Sequence, residues 1–269
     1  MAEISAKDVM KLRQKTGLGM MDCKNALIEN GGDPVKAEAW LREKRKGKMD
    51  ARTERATAEG RIGIGIDGGK ASIVEVRTET DFTARNDEFA SMVADVVKES
   101  LGQPAGALNP TAAMTKRIDD LRIKTGENVN FARGEKLEGG AFGSYIHHDN
   151  KRGALIQIEG SADEDTLRSV CQHIVAHVPP PIAVDENDMP SDQINAVRAE
   201  AEAEAQNSGK PAEIAAKIAE GKVRKFLEVN TLLEQKFIRD DSKTVREILP
   251  KTVKVTRFVR YTVGQEEAE

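Results

Sequence analysis

Aromatic side chains are scarce. Seven Phe, two Tyr and one Trp make up 4% of 269 residues, so the core has to be aliphatic and rich in alanine, and an aromatic among polar neighbours needs a reason. Cysteine is scarcer still: Cys23 and Cys171 lie far apart and form no CxxC pair. That argues against a disulfide framework and a zinc site built on cysteine pairs, and fits a reduced, cytoplasmic setting. No apolar run nears the roughly 20 residues that span a bilayer. The opening residues, MAEISAKDVM, have neither the apolar core of a signal peptide nor the Arg/Ser-rich character of a transit peptide. A cytoplasmic protein with no membrane partner is therefore expected. Nor is there a surplus of positive charge. The formal net charge of −4 gives no electrostatic case for nucleic acid as the main partner. GxSxG, Walker A and HExxH are absent.

What is present is a chain 39% hydrophobic and 32% charged, with room for one large domain or two to three small ones. Its first 46 or so residues read as three short helices. Ser5 is placed to cap the first, with Val9 and Leu12 on one face and Gly17 after it. The second runs through MMDCKNALIEN to Gly31-Gly32. The third opens on Asp33 and Pro34 and buries Val35, Trp40 or Leu41. So small a bundle suits docking better than catalysis. The basic stretch REKRKGKMDARTER (42–55) carries no apolar stripe and no interleaved aromatics, and reads as a solvated helix end and linker rather than a nucleic-acid patch.

From Gly60 the period changes to two. RIGIGID, a DGG turn and ASIVEVR predict a hairpin. Gly63, Gly65 and Gly68 spell GxGxxG, but a strand follows where a dinucleotide site needs a helix, so nucleotide binding is rejected. Helices follow at about 87–100 and 111–125, then the strand VNFARGEKLE. Hairpin, helix, helix and strand then recur about 80 residues later: GAFGSYIHHDNKRGALIQIEG, EDTLRSVCQHIVAHV, SKTVREIL and VKVTRFVRYTV. The second set is interrupted by two helices, 191–206 and 211–227, whose thin apolar stripes predict a projecting antiparallel hairpin. The fold class is thus α+β: a three-helix module, two repeated subdomains with antiparallel sheets, and an inserted helical hairpin.

Candidate chemistry is thin. His173 and His177 lie one helical turn apart near Cys171, but Cys171 points roughly 200° from His173 on a helix, and no further ligands match. A partly buried helix face is the better reading than zinc or a Cys–His pair. No catalytic residue, metal ligand or cofactor site is expected. Of the adjacent Met20 and Met21, successive residues about 100° apart on a helix, one is expected in the core, and the other is left open. Phe82, in TETDFTARND, sits between a strand and a helix. If Thr83 caps that helix, the staple partner of Phe82 would be the polar Asp87, so a hydrophobic staple fails. Inward packing and outward display as a probe of another protein remain equal readings.

TGLGMMDCKNAL (16–27) followed by TDFTARND (80–87) resembles the elongation factor Ts family, the guanine-nucleotide exchange factors of elongation factor Tu. GSYIH (143–147), HIVAHV (173–178) and the segment 206–226 are similar to the same family, so the resemblance runs over nearly the whole chain. It implies a UBA-like module plus basic linker at 1–55 that docks on the GTPase domain of elongation factor Tu through positions matching Arg13, Met20 and Met21. It implies a first core subdomain at 56–139, a second at 140–182 and 228–264, and a coiled-coil hairpin at 183–227; the closing residues GQEEAE read by themselves as a frayed acidic tail, 265–269. Asp81 and Phe82 would enter the partner near its magnesium and nucleotide, with Thr80 and Thr83 shaping the turn. Gly126 and His147 match further contact positions. Two departures stand out: Thr83 replaces a common valine, and the chain ends soon after YTVGQEE without the extra C-terminal helix of some members. The rival reading is an RNA- or ribosome-associated protein using 42–55.

Overall fold

The computed structural model describes residues 4–50 and 53–265. The chain divides into two compact units, Met1–Gly63 with Val74–Gly134 and Val263–Glu269, and Ile64–Ile73 with Glu135–Thr262. Both are α+β, as the sequence pattern requires. Residues 51 and 52 of the basic stretch, and most of the acidic tail, lie outside the described residues.

In the first unit, α1 (Ala6–Thr16) starts at Ser5, whose hydroxyl accepts from the Asp8 amide, and stops at Gly17 in the left-handed region. The helices α2 (Met20–Glu29) and α3 (Pro34–Asp50) follow, and Asp33 caps α3 through the Val35 and Lys36 amides. Val9, Leu12, Leu18, Cys23, Ala26, Leu27, Ala37 and Leu41 form their small core. Of the three residues weighed for burial on α3, Leu41 is buried and Val35 is 70% exposed, because Ala37 and Leu41 take the inward face. Both methionines are exposed as well, Met20 at 44% and Met21 at 65%. Met20 shares a face with Cys23 and Leu27 but stands at the open end of the helix, where Leu18 already fills the core.

The strands β1 (Glu59–Asp67) and β2 (Lys70–Thr78) form the expected hairpin, followed by α4 (Asp81–Arg85), α5 (Asp87–Ser100), β3 (Gly106–Ala107), α6 (Ala112–Thr125) and β4 (Val129–Glu138). The sheet order is β1-β2-β4-β3. Apolar residues of α5 and α6, among them Phe89, Val93, Val96 and Met114, pack with Val74 and Val76 of β2. The short α4 was not foreseen: five residues are too few for a periodicity to register.

The second unit repeats the scheme with β5 (Ala141–Ile146), β6 (Arg152–Glu159), α7 (Glu164–Ala176) and, after the helix pair α8 (Ser191–Asn207) and α9 (Ala212–Asn230), β7 (Lys236–Phe237), β8 (Asp240–Thr244), α10 (Val245–Ile248) and β9 (Lys254–Thr262). Both β5 and β9 pair antiparallel with β6. In each sheet the last strand returns to the second strand of the hairpin. SKTVREIL is only half a helix. Ser242–Thr244 belong to β8, and a capping box on Thr244 and Glu247 starts α10 at Val245. α8 and α9 pack on each other, and the small side chains Ala201, Ala205, Ala215 and Ala219 are buried.

A glycine marks the same place in both units. A Cβ on Gly63 of β1 would meet Val97 Cγ2 at 2.5 Å and Val93 Cγ1 at 2.8 Å of α5, and one on Gly143 of β5 would collide with Leu167 of α7. These glycines let the helix lie close on the strand; in the GxGxxG spelling Gly63 has that role, whereas Gly68 is a turn residue at φ 56° with open space around it. Gly63→Ala and Gly143→Ala are each expected to lower unfolding free energy by about 1–3 kcal/mol, the usual cost of overpacking. Urea denaturation measures this, and wild-type midpoints would disprove the close approach.

Candidate partner-binding surface

The turn around Phe82 is assembled from short-range polar contacts. Thr80, in an extended conformation after β2, caps α4: its Oγ1 accepts from the Thr83 amide at 3.3 Å. Asn86 then caps α5 through the Glu88 amide. Two caps six residues apart turn the chain sharply, so α4 has one face in and one face out. Thr83 and Ala84 are buried, while Phe82, at 85%, is among the most exposed apolar side chains described. Asp81 and Arg85 flank it as an exposed i,i+4 ion pair at 3.3 Å. The two readings left open for Phe82 are thereby decided: it is displayed.

Glu127 holds this turn from behind, and sequence reading missed it. Its carboxylate accepts from Thr78 Oγ1 at 2.9 Å, the Thr80 amide at 3.1 Å and Thr80 Oγ1 at 2.7 Å. Partial burial works to raise its pKa, but hydrogen bonds from Thr80, Thr83 and Thr78 outweigh that and hold it below the usual carboxylate range. The only sequence signal was position, directly after Gly126 in KTGEN. Gly126 itself ends α6 in the left-handed region at φ 76°, with its amide on the Arg122 carbonyl. Its first role is thus to release the chain from the helix so that Glu127 faces β2.

Arg13 lies exposed in the last turn of α1, and Met20 and Met21 in the first turn of α2, on the two sides of the Gly17–Gly19 loop. His147, in the second unit, follows β5, with Nδ1 3.0 Å from Tyr145 Oη and its ring edge-on to His148. Thr80, Asp81, Phe82, Thr83 and Gly126 therefore gather around Glu127, whereas the Arg13–Met21 group and His147 belong to other elements.

Three arginines of the basic stretch have acidic partners within the fold. Arg42 pairs with Asp120, Arg45 with Asp22 and the Ile123 carbonyl, and Arg55 with Glu79. Cys171 and His173 are both fully buried, because α7 is covered on more than one side. The Ile238 amide donates to His173 Nδ1 at 3.2 Å, so Nε2–H donates to Gln235 Oε1 at 2.9 Å. Burial pushes the His173 pKa down from 6.5 to about 4, against a raising effect of Gln235. Its folded pKa is depressed, so the stability it carries is complete above about pH 6.5 and is lost as pH falls toward 4. The NMR resonance of the His173 ring is expected to stay fixed from pH 7.5 to 5; titration near 6.5 would contradict its burial as the neutral form.

Among the described residues no group of three or more His, Cys, Asp or Glu side chains is arranged to hold a metal ion, and no helix is long and apolar enough to cross a membrane. Phe82 on the twice-capped turn, and Met20 and Met21 on the small helical bundle, are exposed apolar side chains. The family model for elongation factor TS matches residues 79–265, and the chain belongs to that family. It is accordingly a translation elongation factor of the nucleotide-exchange kind, whose partner is elongation factor Tu.

Proposed function

We propose that the chain binds elongation factor Tu·GDP and opens its nucleotide site by pressing Asp81 and Phe82 against the region that holds magnesium and phosphate. The observation that carries this reading is the 85% exposure of Phe82 on a turn fixed by Thr80 and Glu127. A phenylalanine left in water on a rigid support gains most when a crevice receives it.

The magnitudes require help from elsewhere. Each tenfold loosening of GDP takes about 1.4 kcal/mol of differential binding, and burying one phenylalanine supplies roughly 1.5–3 kcal/mol. Phe82 accordingly accounts for about 10- to 100-fold. The remainder comes from remote anchors: Arg13, Met20 and Met21 on the 1–55 module, which we read as UBA-like, and contacts of the second subdomain, 140–182 with 228–264, including His147. In this reading 56–139 carries the probe, Gly126 adds a contact beside it, and 183–227 is a coiled-coil hairpin. Ligands of the partner's Mg²⁺ shift, phosphate charge loses its compensation, and GDP leaves. GTP then rebinds and expels the factor. Coupling of this kind is reciprocal: whatever loosens GDP in the complex makes GDP loosen the factor by the same amount.

Reciprocity supplies the test. Size-exclusion chromatography of the chain with nucleotide-free elongation factor Tu is expected to give one complex, which added GDP and Mg²⁺ dissociate. A complex indifferent to GDP would refute exchange by this route. RNA binding through 42–55 is the weaker reading, since Arg42, Arg45 and Arg55 already have acidic partners.

A further inference from the structure

The residues behind the exposed turn form a joint with an ordered logic. Glu127 receives three hydrogen bonds from the end of β2 and the start of the turn, two of them from Thr80. Thr80 Oγ1 donates its single proton to Glu127 and thereby turns its lone pairs toward the Thr83 amide, the bond that caps α4. The direction in which α4 displays Phe82 thus depends on a carboxylate 45 residues away in sequence. A reciprocal bond lies alongside: Glu79 Oε1 accepts from the Asn128 amide at 2.6 Å. Asn128, nearly fully buried, spends its side-chain amide on the Thr53 and Arg55 carbonyls. The buried Thr83, the departure from the common valine, also helps to lower the pKa of the same Glu127 carboxylate.

We infer that Glu127 is the positioning residue of the exchange probe: its carboxylate fixes the Thr80 cap and so holds α4 in the orientation that presents Phe82. This rests on the reading of Phe82 as the probe. Glu127 touches neither nucleotide nor partner in this role and acts only through the turn. The chemistry specifies a carboxylate. All its neighbours here are donors, and an ionised carboxylate accepts on both oxygens, whereas an amide of the same size offers one acceptor and sets an NH₂ group against a donor. Aspartate keeps the charge but is one methylene too short to span the gap.

The experiment measures release of fluorescent GDP from elongation factor Tu over a range of factor concentrations, separating the saturated rate from the half-saturating concentration. Glu127→Gln is expected to lower the saturated rate about tenfold with the half-saturating concentration nearly unchanged, because the docking residues on α1 and α2 are untouched. Thr80→Val, which deletes the hydroxyl without changing shape, is expected to match it, and Thr80→Ser, which keeps the hydroxyl, to restore the wild-type rate. Phe82→Ala and the double variant Phe82→Ala/Glu127→Gln are expected to be equally slow, since a positioning residue has nothing left to position. Thermal unfolding of each variant identifies any that has lost its fold; Thr80→Val then carries the test if Glu127→Gln does not fold. If Phe82→Ala alone leaves exchange intact, the probe reading fails. If Phe82→Ala abolishes exchange but both Glu127→Gln and Thr80→Val act as wild type, or if Glu127→Gln slows the Phe82→Ala background by the same factor, the positioning role is overturned while the probe reading survives.

Discussion

Phe82→Ala is expected to reduce the saturated rate of GDP release about 10- to 100-fold, the equivalent of losing roughly 1.5–3 kcal/mol of burial that occurs only when the partner is bound. The free protein should hardly notice. The side chain is 85% exposed and belongs to no core cluster among the described residues, so its removal leaves no cavity and strips no packing. The cap survives too, since Thr80 bonds the Thr83 backbone and not the ring. A thermal melt beside the exchange assay separates the two possibilities. Unchanged melting with slow exchange is the expected pair of results. A melting point lowered by many degrees would instead return Phe82 to the core and remove the basis for the probe.

The second large effect concerns docking. Met20→Asp/Met21→Asp is expected to weaken binding to elongation factor Tu by about 100-fold, from the loss of two apolar contacts worth roughly 1.5–3 kcal/mol each when buried, moderated by their partial exposure in any interface. Both side chains stand clear of the small core formed by Leu12, Leu18, Cys23 and Leu27, so the three helices should persist. Asp at the first turn of α2 also suits the positive end of that helix. The signature is a raised half-saturating concentration with the saturated exchange rate preserved, the reverse of Glu127→Gln. Isothermal titration with the nucleotide-free partner gives the affinity directly, and unchanged affinity would place docking elsewhere on the chain.

Much of the fold could be read from local chemistry. Ser5 and Asp33 each cap the helix they precede, and period-two runs mark the hairpins β1–β2 and β5–β6. The recurrence of hairpin, helix and returning strand emerges in the matching orders β1-β2-β4 and β5-β6-β9. What escaped notice was set by distance in sequence. Glu127 could not be linked to Thr78 and Thr80 without knowing that the end of α6 comes back to β2. The exposure of Val35 and of both methionines, one of which was expected in the core, has a related cause: a bundle of three short helices has so little interior that Leu18 and Ala37 suffice to fill it, and apolar side chains at helix starts stay outside. Phe82 itself was undecidable by pattern, because α4 is too short to show one; only its solvent exposure answers the question.

Release of fluorescent GDP from elongation factor Tu at fixed Mg²⁺, with and without this chain, tests the central claim most directly. The account predicts a fast release that saturates with factor concentration and loses most of its acceleration in Phe82→Ala. Release at the spontaneous rate, with a partner shown to bind the chain, would contradict it.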